Sequence, residues 1–133
     1  LINRARPFIY TTALPPSSVL AAQASLELIQ RDKSLLNQLN NNIRLWRDEL
    51  ASEGMDISPK SPIIPIITGN PERTIKITET LLAKGLYIQG IRPPTVARGS
   101  SRLRITLSSN HSDDQIKQAS SLLVNVLRDF NIK

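Results

Sequence analysis

Residues 91–111 read IRPPTVARGSSRLRITLSSNH, and their conformation has to change halfway along. Each proline of Arg92-Pro93-Pro94-Thr95 fixes its own φ and pushes the preceding residue out of the α region, so this half is not helix. Gly99-Ser100-Ser101 reads as a turn, after which Arg102 to Leu107 alternates apolar and polar like a half-buried strand. With a period of two, Leu103, Ile105 and Leu107 share one face and Arg102, Arg104 and Thr106 the other. The first face belongs to a core. The second presents two guanidiniums side by side, each able to hold a carboxylate or phosphate through paired hydrogen bonds. An arbitrary Arg-x-Arg is ordinarily a solvated strand face. The stiff Pro-Pro loop delivered beside this one turns the reading towards a site.

Upstream of this stretch, Leu86 to Gly90 is expected as a short strand leading straight into Arg92. Asn70-Pro71-Glu72 starts the helix before it, with a cap, a first-turn proline and an acid near the positive end; that helix runs to Lys84 and Gly85 ends it. Ile63, Ile64, Ile66 and Ile67 form another strand, and Pro65 within it calls for an edge position or a bulge. Ser58-Pro59 and Ser61-Pro62 make a rigid connector. Asp32 caps a helix with the stripe Leu35, Leu36, Leu39, Ile43, Trp46 and Leu50, which Gly54 stops. Asn40-Asn41-Asn42 inside it reads as a solvated face. Pro15-Pro16 opens an earlier helix that Val19, Leu20, Leu26 and Ile29 carry to about Gln30. Downstream, Ser112-Asp113-Asp114-Gln115 matches a capping box, and the last helix buries Ile116, Ala119, Leu123, Val126, Leu127 and Phe130. The sum is one α+β domain over 1–133: a small antiparallel sheet of about three strands with helices packed on one face, behind an extended lead-in over 1–14.

Composition narrows the chemistry. The absence of cysteine excludes disulfides, thiolate metal sites and thiol nucleophiles, and a single histidine cannot build a zinc site, so no metal is expected. Ser109, His111 and Asp113 lie together, but at a helix start, where capping accounts for serine and aspartate. No glycine-rich phosphate loop occurs. The net charge of +6 raises nucleic acid as a partner, and a stand-alone basic binding module is the alternative of a different class. Aromatic content of only 4% leaves little to stack on bases, and no base-reading motif is present, so no nucleic acid is expected. No apolar run near 18 residues points to a membrane span, and no leader is read; a cytoplasmic protein without a membrane partner is expected. The opening Leu1-Ile2-Asn3-Arg4, without methionine, suggests a piece of a longer protein.

Arg92-Pro93-Pro94-Thr95-Val96, then Gly99, then Arg102-Leu103-Arg104-Ile105-Thr106-Leu107 resembles the C-terminal signature of the 8-amino-7-oxononanoate synthases, α-oxoamine synthases that use pyridoxal phosphate (PLP). Arg6-Pro7-Phe8-Ile9-Tyr10-Thr11-Thr12-Ala13-Leu14-Pro15-Pro16 is similar to a second block of the same family, at the right distance upstream. The resemblance covers essentially the whole chain, but the chain covers about the last third of such an enzyme. It implies the small C-terminal domain of a PLP enzyme of fold type I. Its partners would be its own N-terminal large domain and the second subunit of a homodimer. The implied parent reaction condenses L-alanine with a pimeloyl thioester, carried by coenzyme A or a carrier protein, on the way to biotin. Other α-oxoamine synthases, of the glycine C-acetyltransferase or 5-aminolevulinate synthase type, remain the alternative. By resemblance, Arg104 binds the amino-acid carboxylate, Arg92 and Thr95 line the acyl-substrate side, and Thr11 and Thr12 reach the cofactor phosphate of the neighbouring subunit. The Schiff-base lysine of the family lies upstream and matches none of Lys33, Lys60, Lys76, Lys84, Lys117 and Lys133. The piece alone is therefore expected to be inactive and to hold no PLP covalently. Ala97-Arg98 departs from the family's usual Pro-Ala, and the extra charge at Arg98 is expected in water.

Overall fold

The computed structural model describes residues 12–55 and 61–132, together with Arg4 and Arg6. The chain divides into two units, 1–34 and 35–133. In the first, helix α1 (Pro16–Arg31) opens on its prolines, and the Pro15 carbonyl accepts from Ser18 N at 2.9 Å. None of its side chains is buried, and Leu20, Leu26, Leu28 and Ile29 are exposed. Asp32 Oδ1 accepts the Ser34 backbone N–H at 2.8 Å. Hydrogen bonds from Ser34, side chain first and backbone second, hold the Asp32 carboxyl below its ordinary pKa. Asp32 thus serves the start of helix α2 (Ser34–Ser52), as its position in the sequence predicts.

The second unit is built on an antiparallel sheet of β1 (Ile63–Gly69), β2 (Gln89–Ile91) and β3 (Ser101–Thr106), in the order β1-β3-β2. Pro65 sits on an edge strand, one of the two positions open to a residue without an N–H, and the register also shifts between Ile67 and Gly69. One face of the sheet carries Ile64, Ile66, Leu103 and Ile105 into the core. There they meet Ile77 and Leu81 of helix α3 (Pro71–Ala83), Ile116, Leu123 and Leu127 of helix α4 (Asp113–Asp129), and Trp46 and Leu50 of α2. The expected α+β architecture, three antiparallel strands with helices on one face, is the one observed. Both predicted caps form. Asn70 Oδ1 accepts from Glu72 N and Arg73 N at 2.8 and 3.1 Å, and Ser112 and Gln115 exchange reciprocal bonds. Among the described residues, no helix is long and apolar enough to cross a membrane.

Three expectations need correction. The strand expected over Leu86–Gly90 occupies Gln89–Ile91 instead. Gly85, at φ +86°, turns the chain back so that Leu86 N donates to Leu81 O at 2.9 Å. The end of α3 therefore takes the backbone group that a strand would have used. The asparagine run is not one solvated face: Asn40 and Asn41 are exposed, but Asn42 is fully buried. Its Nδ2 donates to the carbonyls of Ser108 and His111 at 2.8 and 3.0 Å, and its Oδ1 accepts from Gln38 Nε2 at 2.9 Å. In α4, Ser120 and Val124 are buried alongside the expected stripe, while Ala119 and Phe130 are only partly buried. The Ser58-Pro59 half of the connector lies outside the described residues.

Asn42 generates a stability prediction. Asn42→Ala leaves two carbonyls of the 108–111 turn without their donor, at a cost of about 1–3 kcal/mol. Asn42→Asp should cost more, because a carboxylate only accepts and would face two carbonyl oxygens. Urea unfolding of both variants checks the order; an Asp variant as stable as wild type would contradict it.

Candidate functional site

Opposite the core, the sheet leaves a face open. The pairing puts Pro65 and Gln89 on either side of Arg104, and Ile67 and Ile91 on either side of Arg102. Side chains of directly paired residues share a face, so this surface carries Ile63, Pro65, Ile67, Gln89, Ile91, Thr106 and the two arginines. The two guanidiniums are not equivalent. Arg102 is half-buried, and its Nε donates to the Ser100 carbonyl at 3.0 Å, so it braces the turn that precedes its own strand. Arg104 is exposed, and its Nη2 donates to Gln89 Oε1. Among the described residues Arg104 has no carboxylate partner.

The loop feeding β3 is held by its own backbone. Thr95 N donates to Arg92 O at 3.0 Å around a cis Pro93–Pro94 peptide, and Ser100 closes a second turn on Ala97 O through both N (3.1 Å) and Oγ (2.7 Å). Arg92, Thr95 and Arg98 are all exposed. Arg92 borders a cavity of about 330 Å³ with Thr74, Thr78 and Glu79 of α3. Arg104 borders a different groove, of about 520 Å³, with Lys84, Tyr87, Thr106, His111 and Gln115. Arg92 and Arg104 thus belong to one stretch of chain but line separate cavities. Thr12 is exposed, just ahead of α1 in the first unit, and Thr11 lies outside the described residues. His111 Nδ1 accepts from Ser108 N at 3.3 Å, and Asp113 lies in the first turn of α4. Turn and cap therefore account for that cluster without a catalytic role.

Two residues of this site escaped the sequence. Gln89 lies in the expected strand, but it could be placed beside Arg104 only once the register was known, and Gly90 had no visible reason to be glycine. A Cβ on Gly90 would lie 2.9 Å from Thr74 Cγ2 and 3.2 Å from Thr78 Cγ2, so β2 lies flush against α3 only because the Cβ is missing. Thr74 cannot easily yield. It is fully buried, its hydroxyl donates to Asn70 O at 2.8 Å, and it pairs with Thr68 Oγ1 at 2.6 Å.

The three-stranded antiparallel sheet with helices on one face has counterparts among known proteins. The family model for aminotransferase class I and II matches residues 1–123. The chain belongs to the class I and II aminotransferase family. Within it, the chain is 41% identical over 135 residues to the 8-amino-7-oxononanoate synthase of Trichlorobacter lovleyi, a match covering 99% of this chain and 34% of that one. The fold superposes on 8-amino-7-oxononanoate synthase from Francisella tularensis with a TM-score of 0.76 at 29% identity, covering 98% of this chain and 38% of that one. It superposes on serine palmitoyltransferase from S. paucimobilis, solved with PLP and myriocin bound, with a TM-score of 0.85 at 26% identity, covering 96% of this chain and 33% of that one. The chain spans about a third of the length of the curated relatives it matches.

The fit of β2 on α3 is testable. Gly90→Ala forces either β2 or Thr74 to move and should destabilise the second unit by about 1–3 kcal/mol. Adding Thr74→Ser, which removes the offending methyl but keeps the hydroxyl, should recover part of the loss. Thermal unfolding of the single and double variants decides; additive losses would show that the contact is not the cause.

Proposed function

We propose that the full-length protein is a PLP-dependent 8-amino-7-oxononanoate synthase. It condenses L-alanine with a pimeloyl thioester in the cytoplasm, with loss of CO2, and works as a homodimer. The observation that carries this reading is the exposed guanidinium of Arg104 on the central strand, uncompensated by any described carboxylate, in a chain whose curated relatives carry that name. Arg104 grips the amino-acid carboxylate with two parallel hydrogen bonds and so fixes how the Cα bonds are presented. Arg92 and Thr95, on the loop ahead of β3, contact the acyl thioester. Thr11 and Thr12 reach the cofactor phosphate of the second subunit. The close superposition on serine palmitoyltransferase favours a second reading, a sister enzyme condensing another amino acid.

PLP, when bound, supplies the electron sink for the bond that breaks. The described residues fit the carboxylate end of such a site and not its lysine end. Lys33, Lys76, Lys84 and Lys117 are all exposed, whereas a lysine that reacts with carbonyls at neutral pH needs its ammonium destabilised by burial or a neighbouring cation. Incubating the 133-residue chain with PLP, reducing with borohydride and mapping by mass should label no lysine specifically. Stoichiometric label on one lysine would overturn this division of labour.

In the full-length protein, Arg104→Lys should lower kcat/KM for alanine roughly 10- to 150-fold, the worth of one hydrogen bond to a charged group. Lysine keeps the charge, so a purely electrostatic role would leave the rate nearly intact. Arg102→Lys should cost much less, since Arg102 is turned onto Ser100 O. The assay follows CO2 and 8-amino-7-oxononanoate, with alanine, glycine or serine against pimeloyl, acetyl and palmitoyl thioesters. Preference for another amino acid and thioester pair would replace the first reading with the second.

A further inference from the structure

We propose that Gln89 is a positioning residue for Arg104: its amide orients the guanidinium over the open face of the sheet without neutralising it. The proposal rests on the reading of Arg104 as the amino-acid carboxylate site. Two observations carry it. Gln89 and Arg104 are direct partners in the β2–β3 register, which places their Cβ atoms about 4.5–5.5 Å apart on one face. Gln89 Oε1 accepts from Arg104 Nη2. The opposite neighbour, Pro65, has no side-chain donor or acceptor, so Gln89 is the cross-strand partner able to aim the fork.

The identity of the residue matters as much as its place. Arginine is a long side chain, and fixing it before the ligand arrives removes rotamer freedom that binding would otherwise have to quench. A carboxylate at position 89 would fix it too, but through a paired charge-assisted contact that competes with any incoming carboxylate. A glutamine aims the fork with a neutral oxygen. The charge stays available, and the two Nε2 donors remain for the same anion. Nor can Gln89 slip to the other face, because its neighbour Gly90 is wedged against Thr74 and Thr78.

The test compares Gln89→Glu and Gln89→Leu in the full-length protein with wild type; both changes are at an exposed position of an edge strand. Gln89→Glu should raise the KM for alanine by about tenfold or more, while kcat at saturating alanine and the KM for the acyl thioester stay within about threefold. Gln89→Leu should raise the alanine KM only a few-fold, since it loses the aim but adds no competitor. A merely structural role would move both substrates' KM values together and would not separate Glu from Leu. Equal shifts in the two KM values, or a Glu variant within about twofold of wild type for alanine, would overturn the proposal. A second measurement needs no turnover: the rate at which phenylglyoxal modifies Arg104, read by peptide mass spectrometry. Gln89→Leu should speed that modification and Gln89→Glu slow it; rates that do not respond sink the positioning role by themselves. If wild type consumes no alanine with any acyl thioester, the functional reading fails, and the phenylglyoxal rates still decide whether Gln89 holds Arg104.

Discussion

Strand β3 is paired on both sides, so its parity decides what all three strands present to either face. Leu103 and Ile105 point into the core, and a slip of one residue would drive Arg102 and Arg104 into it instead. Burying two unpaired guanidiniums costs far more than any local rearrangement could recover. The register is also pinned from outside the strand. Ser101 pairs with Gly69 across the irregularity in β1, Gly90 pairs with Leu103 from its wedge on α3, and Leu107 N reaches Pro62 O at 2.9 Å beyond the strand's end. The position of Arg104 on the open face is therefore a result of packing on the other one.

Polar contacts at the core's margin fix the parts that hydrophobic burial leaves free. Asn42 ties α2 to the turn between β3 and α4, and so sets where the last helix begins. Thr68, Thr74 and the Asn70 carbonyl form a short relay that closes the β1–α3 connection. Such groups are not exchangeable for apolar ones one at a time, because each leaves a partner unsatisfied. Their common effect is on geometry: one sets the approach to α4 and the other the seat of α3, against which Gly90 must lie. The placement of Gln89 depends on that seat.

Local chemistry made much of this legible from the chain alone. Pro65 had to be on an edge or at a bulge because it lacks an N–H, and the alternation of 102–107 admitted one assignment of faces. Asn70 and Ser112 had to cap because each stands directly before a proline or acidic first turn. The features that could not be read depended on which of several plausible partners each polar group takes. Asn42 looks like its two neighbours in the run, and only carbonyls at 108 and 111 distinguish it. Where β2 starts is decided by how the end of α3 uses Leu86 N–H, a competition between two plausible bonds that sequence pattern does not rank. Gln89 lies inside the expected strand as well, but its pairing with Arg104 is a matter of register that the strand assignment alone does not supply. The same pattern made Arg102 and Arg104 look alike, and only the carbonyl of Ser100 tells them apart.

The composition of the open face bears on how strongly Arg104 can act. Ile63 and Ile67 remain about half exposed, at 52% and 53%, and with Pro65 and Ile91 they give the arginines an apolar surround. In water, an exposed arginine–carboxylate pair is worth about 0–1 kcal/mol, too little to hold an amino acid. The same pair gains strength as water is excluded, provided that no other charge has already satisfied the guanidinium. The neutral amide at Gln89 and the absence of a described acid on this face meet the second condition, and the apolar surround lowers the cost of meeting the first. The open face thus offers Arg104 apolar neighbours and no competing acid among the described residues, which is what the proposed carboxylate site would require.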